Sequence, residues 1–243
     1  AEYVKAPKYE TKEAKYLDDE QARAFLNALI SEPEIKYVTP LSVLLFTGLR
    51  RGELCGLTWG DIDMYNGMIY VRRQTQWFKG MGAVDVETKT KSSVRSIKVP
   101  PQVIFILSTY EKWCRECKEA CGDVWDRDNS KVFISEDGGL ISPDAMGKWL
   151  KKILRKNDLP LISLHGLRHT FITLQIAAGV DVRTLQSRTG HTKASTLLDV
   201  YSHAVQSAQD KAAALLGDML TPKNEAISTE IPEPALIDLL HKN

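Results

Sequence analysis

The sequence predicts an α+β fold that is mainly α-helical and carries a small antiparallel β-sheet of about three strands. Three observations predict it. Apolar residues recur at helical spacing over most of the chain. The stretch from Asn66 to Val99 instead opens on the tight-turn pair Asn66-Gly67 and then alternates apolar and polar residues as strands do. The chain, 243 residues and 43% hydrophobic, is long enough to bury a sizeable core.

The elements follow in order. Asp18 can cap a helix over Leu17 to Ile30, with Gln21 at the capping-box position and Phe25, Leu26, Leu29 and Ile30 as its apolar stripe. Thr39-Pro40, a cap followed by a helix-start proline, opens a buried second helix through LSVLLF, which stops at Thr47-Gly48. A short helix resumes over Arg51 to Leu57. Strands are expected in MIYVRRQ after Asn66-Gly67, over Ala83 to Thr88 and over Arg95 to Val99, the last two joined by a polar turn around Lys89 to Ser93. From Pro101 the helical period returns, at about 101–120, 143–156, 166–178, 181–189 and 204–220, with loops at Gly139, Pro160, Gly179 and Gly190.

Residues 1–16 read as a charged, Pro-containing linker from a further segment expected on the N-terminal side. Residues 17–217 are the expected main folded domain, and 218–243 a tail ending in the short amphipathic ALIDLLHK. No apolar run approaches the roughly 18 to 20 residues of a membrane span, and the N-terminal stretch lacks the layout of a secretion signal. A cytoplasmic location away from membranes is therefore expected.

The net charge of +1 looks small for a protein that would neutralise phosphates. The tail from Asp218 onward holds five acids and two bases, a balance of −3, which leaves +4 on the remainder. The body is mildly basic, compatible with nucleic acid. Of the four cysteines, Cys114, Cys117 and Cys121 share a helix face with Tyr110 and read as reduced thiols; zinc would need a fourth ligand and usually a loop-presented pair. No metal or other cofactor is expected.

Four segments concentrate residues suited to a phosphodiester. In TGLRRGEL, Gly48 breaks the buried helix, so Arg50 sits at a turn where its guanidinium could grip two phosphate oxygens; the plainer reading is an ion pair with Glu53. In LHGLRHTF, His165 and Arg168 stand three apart at the start of a helix, on one face near the positive end of its dipole. TGHTKAS sets His191 after a helix-ending glycine, and ten residues later DVYSHA offers Tyr201. Taken singly, each is more often a cap, a surface pair or a core tyrosine.

Taken together and in order, TGLRRGEL, LHGLRHT and TGHTKASTLLDVYSH resemble the signature boxes of the tyrosine recombinases, over nearly all of the chain from Leu17 to Leu216. The stretch ETKTKSSVRSIKVP resembles that family's lysine-bearing hairpin, with Lys89 at the matching position and Lys91 as rival. Departures are small: SRTGH puts a polar residue where a hydrophobic one more often precedes the glycine, and residues 114–130 match nothing assignable.

The resemblance implies the fold and the roles. Arg50 and Arg168 would clamp the scissile phosphate, and Tyr201 would attack phosphorus to form a 3′-phosphotyrosyl link. His165 would accept or position the phenol proton, Lys89 would protonate the leaving 5′ oxygen, His191 would hydrogen-bond the phosphate, and Glu53 would steady Arg50. The substrate would be double-stranded DNA cut without metal or ATP. Protomers would assemble as a tetrameric synapse, with the C-terminal helix docking in cis or in trans. The rivals are a catalytically inactive DNA-binding module of the same fold, a type IB topoisomerase-like strand transferase or telomere resolvase, and a metal-dependent nuclease, for which no acidic cluster speaks.

Overall fold

Asp18 accepts a hydrogen bond from the Gln21 backbone N–H at 2.9 Å while the Gln21 side chain accepts from Asp18 N at 3.1 Å, and at this reciprocal cap the first helix, α1 (Asp19–Ile30), begins. The coordinates are a computed structural model that describes residues 15–78, 80–87, 94–125, 130–191, 197 and 201–220. Phe25 and Leu29 of the expected stripe are buried, together with Ala22 and Ala28. Ile30, the last residue of the helix, is exposed.

Helix α2 (Ile35–Thr47) starts well before the expected Thr39-Pro40 and runs through Pro40. Tertiary contact outweighs the backbone hydrogen bond that proline cannot donate. The Tyr37 ring stacks on Trp149 at 4.7 Å, and Ile35 and Val38 pack against the core. The helix ends at Gly48, whose φ of +62° is the left-handed cap that glycine adopts without strain. The short α3 (Arg51–Gly56) follows at once.

The strands differ from expectation in their grouping. β1 (Ile62–Asp63), β2 (Met68–Val71) and β5 (Arg95–Lys98) form one antiparallel sheet in the order β1-β2-β5, while β3 (Arg73–Phe78) and β4 (Gly82–Glu87) form a separate hairpin. The expected single strand MIYVRRQ is thus divided at Arg72. Asp61 explains the division: it is buried, accepts from Arg72 Nη1 at 2.8 Å and is also bonded by Arg73 Nη1. The two arginines pin the corner at which the chain leaves one sheet for the other. The expected turn at Lys89 to Ser93, Lys89 included, lies outside the described residues.

The remaining helices are α4 (Pro101–Cys121), α5 (Pro143–Lys156), α6 (Leu164–Ala177), α7 (Val182–Thr189) and α8 (Ser202–Leu220), each within a few residues of its expected span. Helix α2 lies centrally and packs against α1, α4, α5 and α6. A large core gathers around it. A smaller one, of Phe171, Ile172, Ile176, Leu185, Leu197 and Tyr201, ties α6 and α7 to the start of α8. Tyr201 is therefore fixed by burial of its ring.

On α4, Tyr110 and Cys114 are buried and Cys117 and Cys121 half-buried; all four cysteines are free thiols. The Tyr110 hydroxyl donates to Ile134 O at 3.2 Å and accepts from Ile134 N at 3.0 Å, which accounts for a buried phenol in the core. Among the described residues no three His, Cys, Asp or Glu side chains are grouped to hold a metal, and no helix is long and apolar enough to cross a membrane.

Gly48 supplies the fold's sharpest local test. A Cβ there would stand 2.3 Å from Phe171 Cδ1 while forcing a side chain into positive φ. We predict that Gly48→Ala lowers stability by about 1–3 kcal/mol, a typical overpacking cost. Denaturant unfolding measures it, and an unchanged midpoint would show that the α2–α6 contact is looser than described.

Candidate active site

The C-terminal end of α7 is where the chain brings its arginines together. Three successive backbone carbonyls there each accept from a different guanidinium. Arg188 O accepts from Arg95 Nε at 2.7 Å, Thr189 O from Arg168 Nη2 at 2.7 Å, and Gly190 O from Arg50 Nη2 at 3.0 Å. Cations are favoured at this end of a helix, because its last carbonyls lack intrahelical partners and carry the negative end of the dipole.

Each arginine arrives by a different route. Arg50 stands at the N-cap of α3, directly after the turn that Gly48 makes possible. Arg168 extends inward from the first turns of α6 and is 2% exposed, donating to Gly48 O at 2.6 Å as well as to Thr189 O. Arg95 enters from β5. Glu53 joins two of them: it accepts from Arg50 N and Arg50 Nη1, both at 2.8 Å, and from Arg95 Nη1 at 2.9 Å and Nη2 at 2.7 Å. Glu53 is 3% exposed, so this carboxylate holds the cluster from inside the protein.

His191 follows Gly190, its Nδ1 2.7 Å from Thr189 Oγ1 and its Nε2 3.4 Å from Arg168 Nη2. His165, exposed at the first turn of α6, lines a cavity of about 770 Å³ together with Arg50, Arg51, Lys148 and Lys151. Asp144 adds one acid to that otherwise basic wall. Tyr201 is buried beside these groups, and its hydroxyl is hydrogen-bonded to Nδ1 of His169, not to His165. The His165 ring meets His169 edge-on, with centroids 4.6 Å apart. Arg50, Arg168, His165, His191, Glu53 and Tyr201 are thus gathered in one region.

Two members of the cluster carried no assignment in the sequence. Arg95 lies in a stretch that reads simply as a strand, and its inward charge has no local signature. His169 stands in the motif LHGLRHTF beside Arg168, where helical spacing draws the eye to His165 instead.

The electrostatics are those of a cation cluster braced by one buried carboxylate. Burial and then the charges of Arg168, Arg50 and Arg95 push His191 down to about 4, and burial followed by Arg168 and Arg50 lowers His165. Arg168 itself falls to about 10, through burial and repulsion from Arg50. Burial raises the Tyr201 phenol to about 12 against a smaller opposing pull from Arg168. Burial alone would raise Glu53 too, but the bonds and charges of Arg95 and Arg50 outweigh it and hold the carboxyl below its ordinary value.

That depressed value fixes a sign. A carboxylate whose folded pKa lies below its unfolded one, about 4.3, contributes stability above the unfolded value and loses it as pH falls through the folded one. We predict that Glu53→Gln costs about 3–5 kcal/mol near neutral pH, because it leaves buried Arg95 without its counter-ion. The difference from the unaltered chain should shrink below about pH 4. Urea titrations at several pH values measure both, and a penalty as large at pH 3 as at neutrality would refute the ion-pair account.

With this geometry described, the chain can be set beside known proteins. Residues 15–207 match the phage integrase family. A tyrosine recombinase XerC-like protein of Caldanaerobacter subterraneus subsp. tengcongensis is 32% identical over 71% of this chain and 47% of its own length. The ICEBs1 integrase of Bacillus subtilis (strain 168) is 30% identical over 86% of this chain and 56% of its own. The chain thus spans about half the length of these relatives. Among solved structures, the Tn1549 transposon integrase in complex with transposon right end DNA aligns with a TM-score of 0.71 at 29% identity, covering 86% of this chain and 69% of that one. The helical fold with its small antiparallel sheets is that of a tyrosine recombinase catalytic domain, and the chain belongs to the phage integrase family.

Proposed function

We propose that this chain cleaves and rejoins double-stranded DNA at specific sites through a 3′-phosphotyrosyl intermediate on Tyr201, in the integration or excision of a mobile element. The observation that carries the proposal is the gathering of Arg50, Arg168 and His191 at the end of α7 beside the Tyr201 phenol. A pentacoordinate phosphate bears growing negative charge on its equatorial oxygens, and fixed guanidiniums in a partly buried setting stabilise that charge without reorganising. Arg50 and Arg168 clamp the scissile phosphate, and His191 hydrogen-bonds it. His165, at the cavity edge, is the acceptor of the phenol proton or the positioner of the phenol. Glu53 steadies Arg50, and Lys89 protonates the leaving 5′ oxygen.

The charge comes from the protein's own cations, so the chemistry calls for neither metal nor ATP. The phosphotyrosine retains the energy of the broken diester for the reverse attack by a 5′-hydroxyl. Lys148, Lys151 and Arg51 along the cavity support passage of a phosphate backbone past His165. The relatives' integrase names and the DNA in the Tn1549 complex support the same reading.

Residues 17–217 form the catalytic unit of this proposal, preceded by a linker from an N-terminal DNA-binding domain and acting in the cytoplasm. Self-association into a tetrameric synapse completes it, with the tail from residue 218 docking on its own or a neighbouring protomer. Exposed Leu215, Leu216, Met219 and Leu220 on α8 support an apolar docking surface there.

A nicked suicide duplex tests the reaction class. We predict a covalent protein–DNA band that survives EDTA, is lost in Tyr201→Phe, and leaves DNA affinity within a few-fold in that variant, which removes one hydroxyl and no charge. An adduct persisting without Tyr201 would remove it as nucleophile; cleavage that needs a divalent ion would favour a nuclease. For the hairpin lysine, we predict that Lys89→Ala cleaves poorly on an ordinary duplex but well on one with sulfur at the scissile 5′ position, since a thiolate leaves without protonation. Rescue of Lys91→Ala and not of Lys89→Ala would move the assignment to Lys91.

A further inference from the structure

The reacting oxygen of the proposed nucleophile touches a group that none of the roles above includes. The Tyr201 hydroxyl is bonded to His169 Nδ1, the two rings are tilted at 44° with centroids 5.5 Å apart, and His169 in turn receives the edge of His165. From the short contact between the phenol and Nδ1, we infer that His169 is a further catalytic residue, the acceptor of the Tyr201 proton during strand cleavage. The inference rests on the recombinase reading and narrows it: His165, whose ring lies at the cavity wall, is next in line behind His169.

The step balances. As the bond from Tyr201 Oη to phosphorus forms and the bond from phosphorus to the 5′ oxygen breaks, the phenol proton passes to His169 Nδ1. The leaving oxygen takes its proton from the general acid assigned to Lys89. In religation the 5′-hydroxyl returns its proton to that general acid as it attacks phosphorus, the bond from Tyr201 Oη to phosphorus breaks, and the departing phenolate recovers the proton from His169.

The surroundings keep the His169 ring unprotonated. The titratable and charged groups facing His169 among the described residues are His165 and Arg168 on its own helix and Tyr201 at the start of α8. Burial, then His165 and Arg168, push His169 down to about 4, so its ring is neutral and holds a free lone pair over the working pH range. His169 is half-buried behind the exposed His165, which restricts the competition of water for that lone pair.

His169→Ala and His169→Asn separate proton transfer from simple placement. An Asn amide oxygen can occupy the Nδ1 position and accept the phenol hydrogen bond, but it cannot carry the proton away. Single-turnover cleavage of the nicked suicide duplex should fall about 100-fold or more in both variants, the usual size of a general-base contribution. DNA affinity should hold within a few-fold. The pH profile is the deciding readout. Without a base the attacking species is phenolate in equilibrium with solvent, so the variants' rate should climb about tenfold per pH unit while the unaltered chain stays nearly flat.

If His169→Ala does not fold, His169→Asn carries the comparison alone. Asn at the unaltered rate with a flat profile would make His169 a positioning residue and overturn the inference. So would a loss of rate with no change of profile, or faster cleavage, which would mark the contact as a resting pose. The unaltered chain and Tyr201→Phe run beside them: absence of any adduct with the unaltered chain overturns the recombinase reading and this inference together, whereas a normal adduct with an insensitive His169 overturns this inference alone.

Discussion

Everything at the site depends on one electrostatic constraint: Arg50, Arg95 and Arg168 converge on one another and must be held together against their mutual repulsion. Like charges at such separations repel, and two of these guanidiniums are almost wholly removed from water. The protein meets the constraint with two devices. The end of α7 offers its last carbonyls, one to each arginine, and buried Glu53 bridges Arg50 and Arg95 from the far side. The guanidiniums thereby take up fixed orientations, which, on the proposed function, is the condition under which hydrogen-bond donors stabilise a transition state at least reorganisation.

The devices reach back into the fold. For Arg50 to meet Glu53 and Gly190, α2 must stop within one residue, which is what Gly48 and its positive φ achieve. The same Gly48 offers its carbonyl to Arg168, so the helix break positions both arginines at once. Gly190 plays the matching part at the end of α7: its φ of +68° ends the helix, and a Cβ there would press to 3.0 Å from Arg95 Nη1. The smaller core then carries the site to Tyr201, because Phe171, packed with the tyrosine, is also the ring against Gly48. Loosening at the tyrosine end would therefore be felt at the arginine end.

Local chemistry was legible in the sequence, and tertiary pairing was not. The Asp18 cap, the stop at Gly48 and the helices after Pro101 follow from side chains that satisfy nearby backbone or from a regular apolar period, and both are readable along the chain. The start of α2 lies ahead of Thr39-Pro40 because stacking of Tyr37 on Trp149, far away in sequence, overrides the local meaning of that pair. MIYVRRQ looked like one strand because the corner at Arg72 is set by Asp61, which alternation cannot reveal. At the site, the residues inside recognisable motifs could be named. Arg95 could not, since it matters only through a partner on another element, and His169 could not, since its distinction is contact with a ring 32 positions later.

The depressed histidines raise a last point about timing. In the free protein, burial and neighbouring cations hold His169 and His191 near 4, which makes them poor proton acceptors. A phosphodiester seated between Arg50 and Arg168 brings a negative charge into the same cluster. It offsets the repulsion of a proton by Arg168 at His169 and by Arg168, Arg50 and Arg95 at His191, and more so as charge grows on the equatorial oxygens in the transition state. On the proposed chemistry, the affinity of His169 for the phenol proton therefore rises with a phosphate in place for Tyr201 to attack. Until then the phenol, raised to about 12, keeps its proton and is a weak nucleophile.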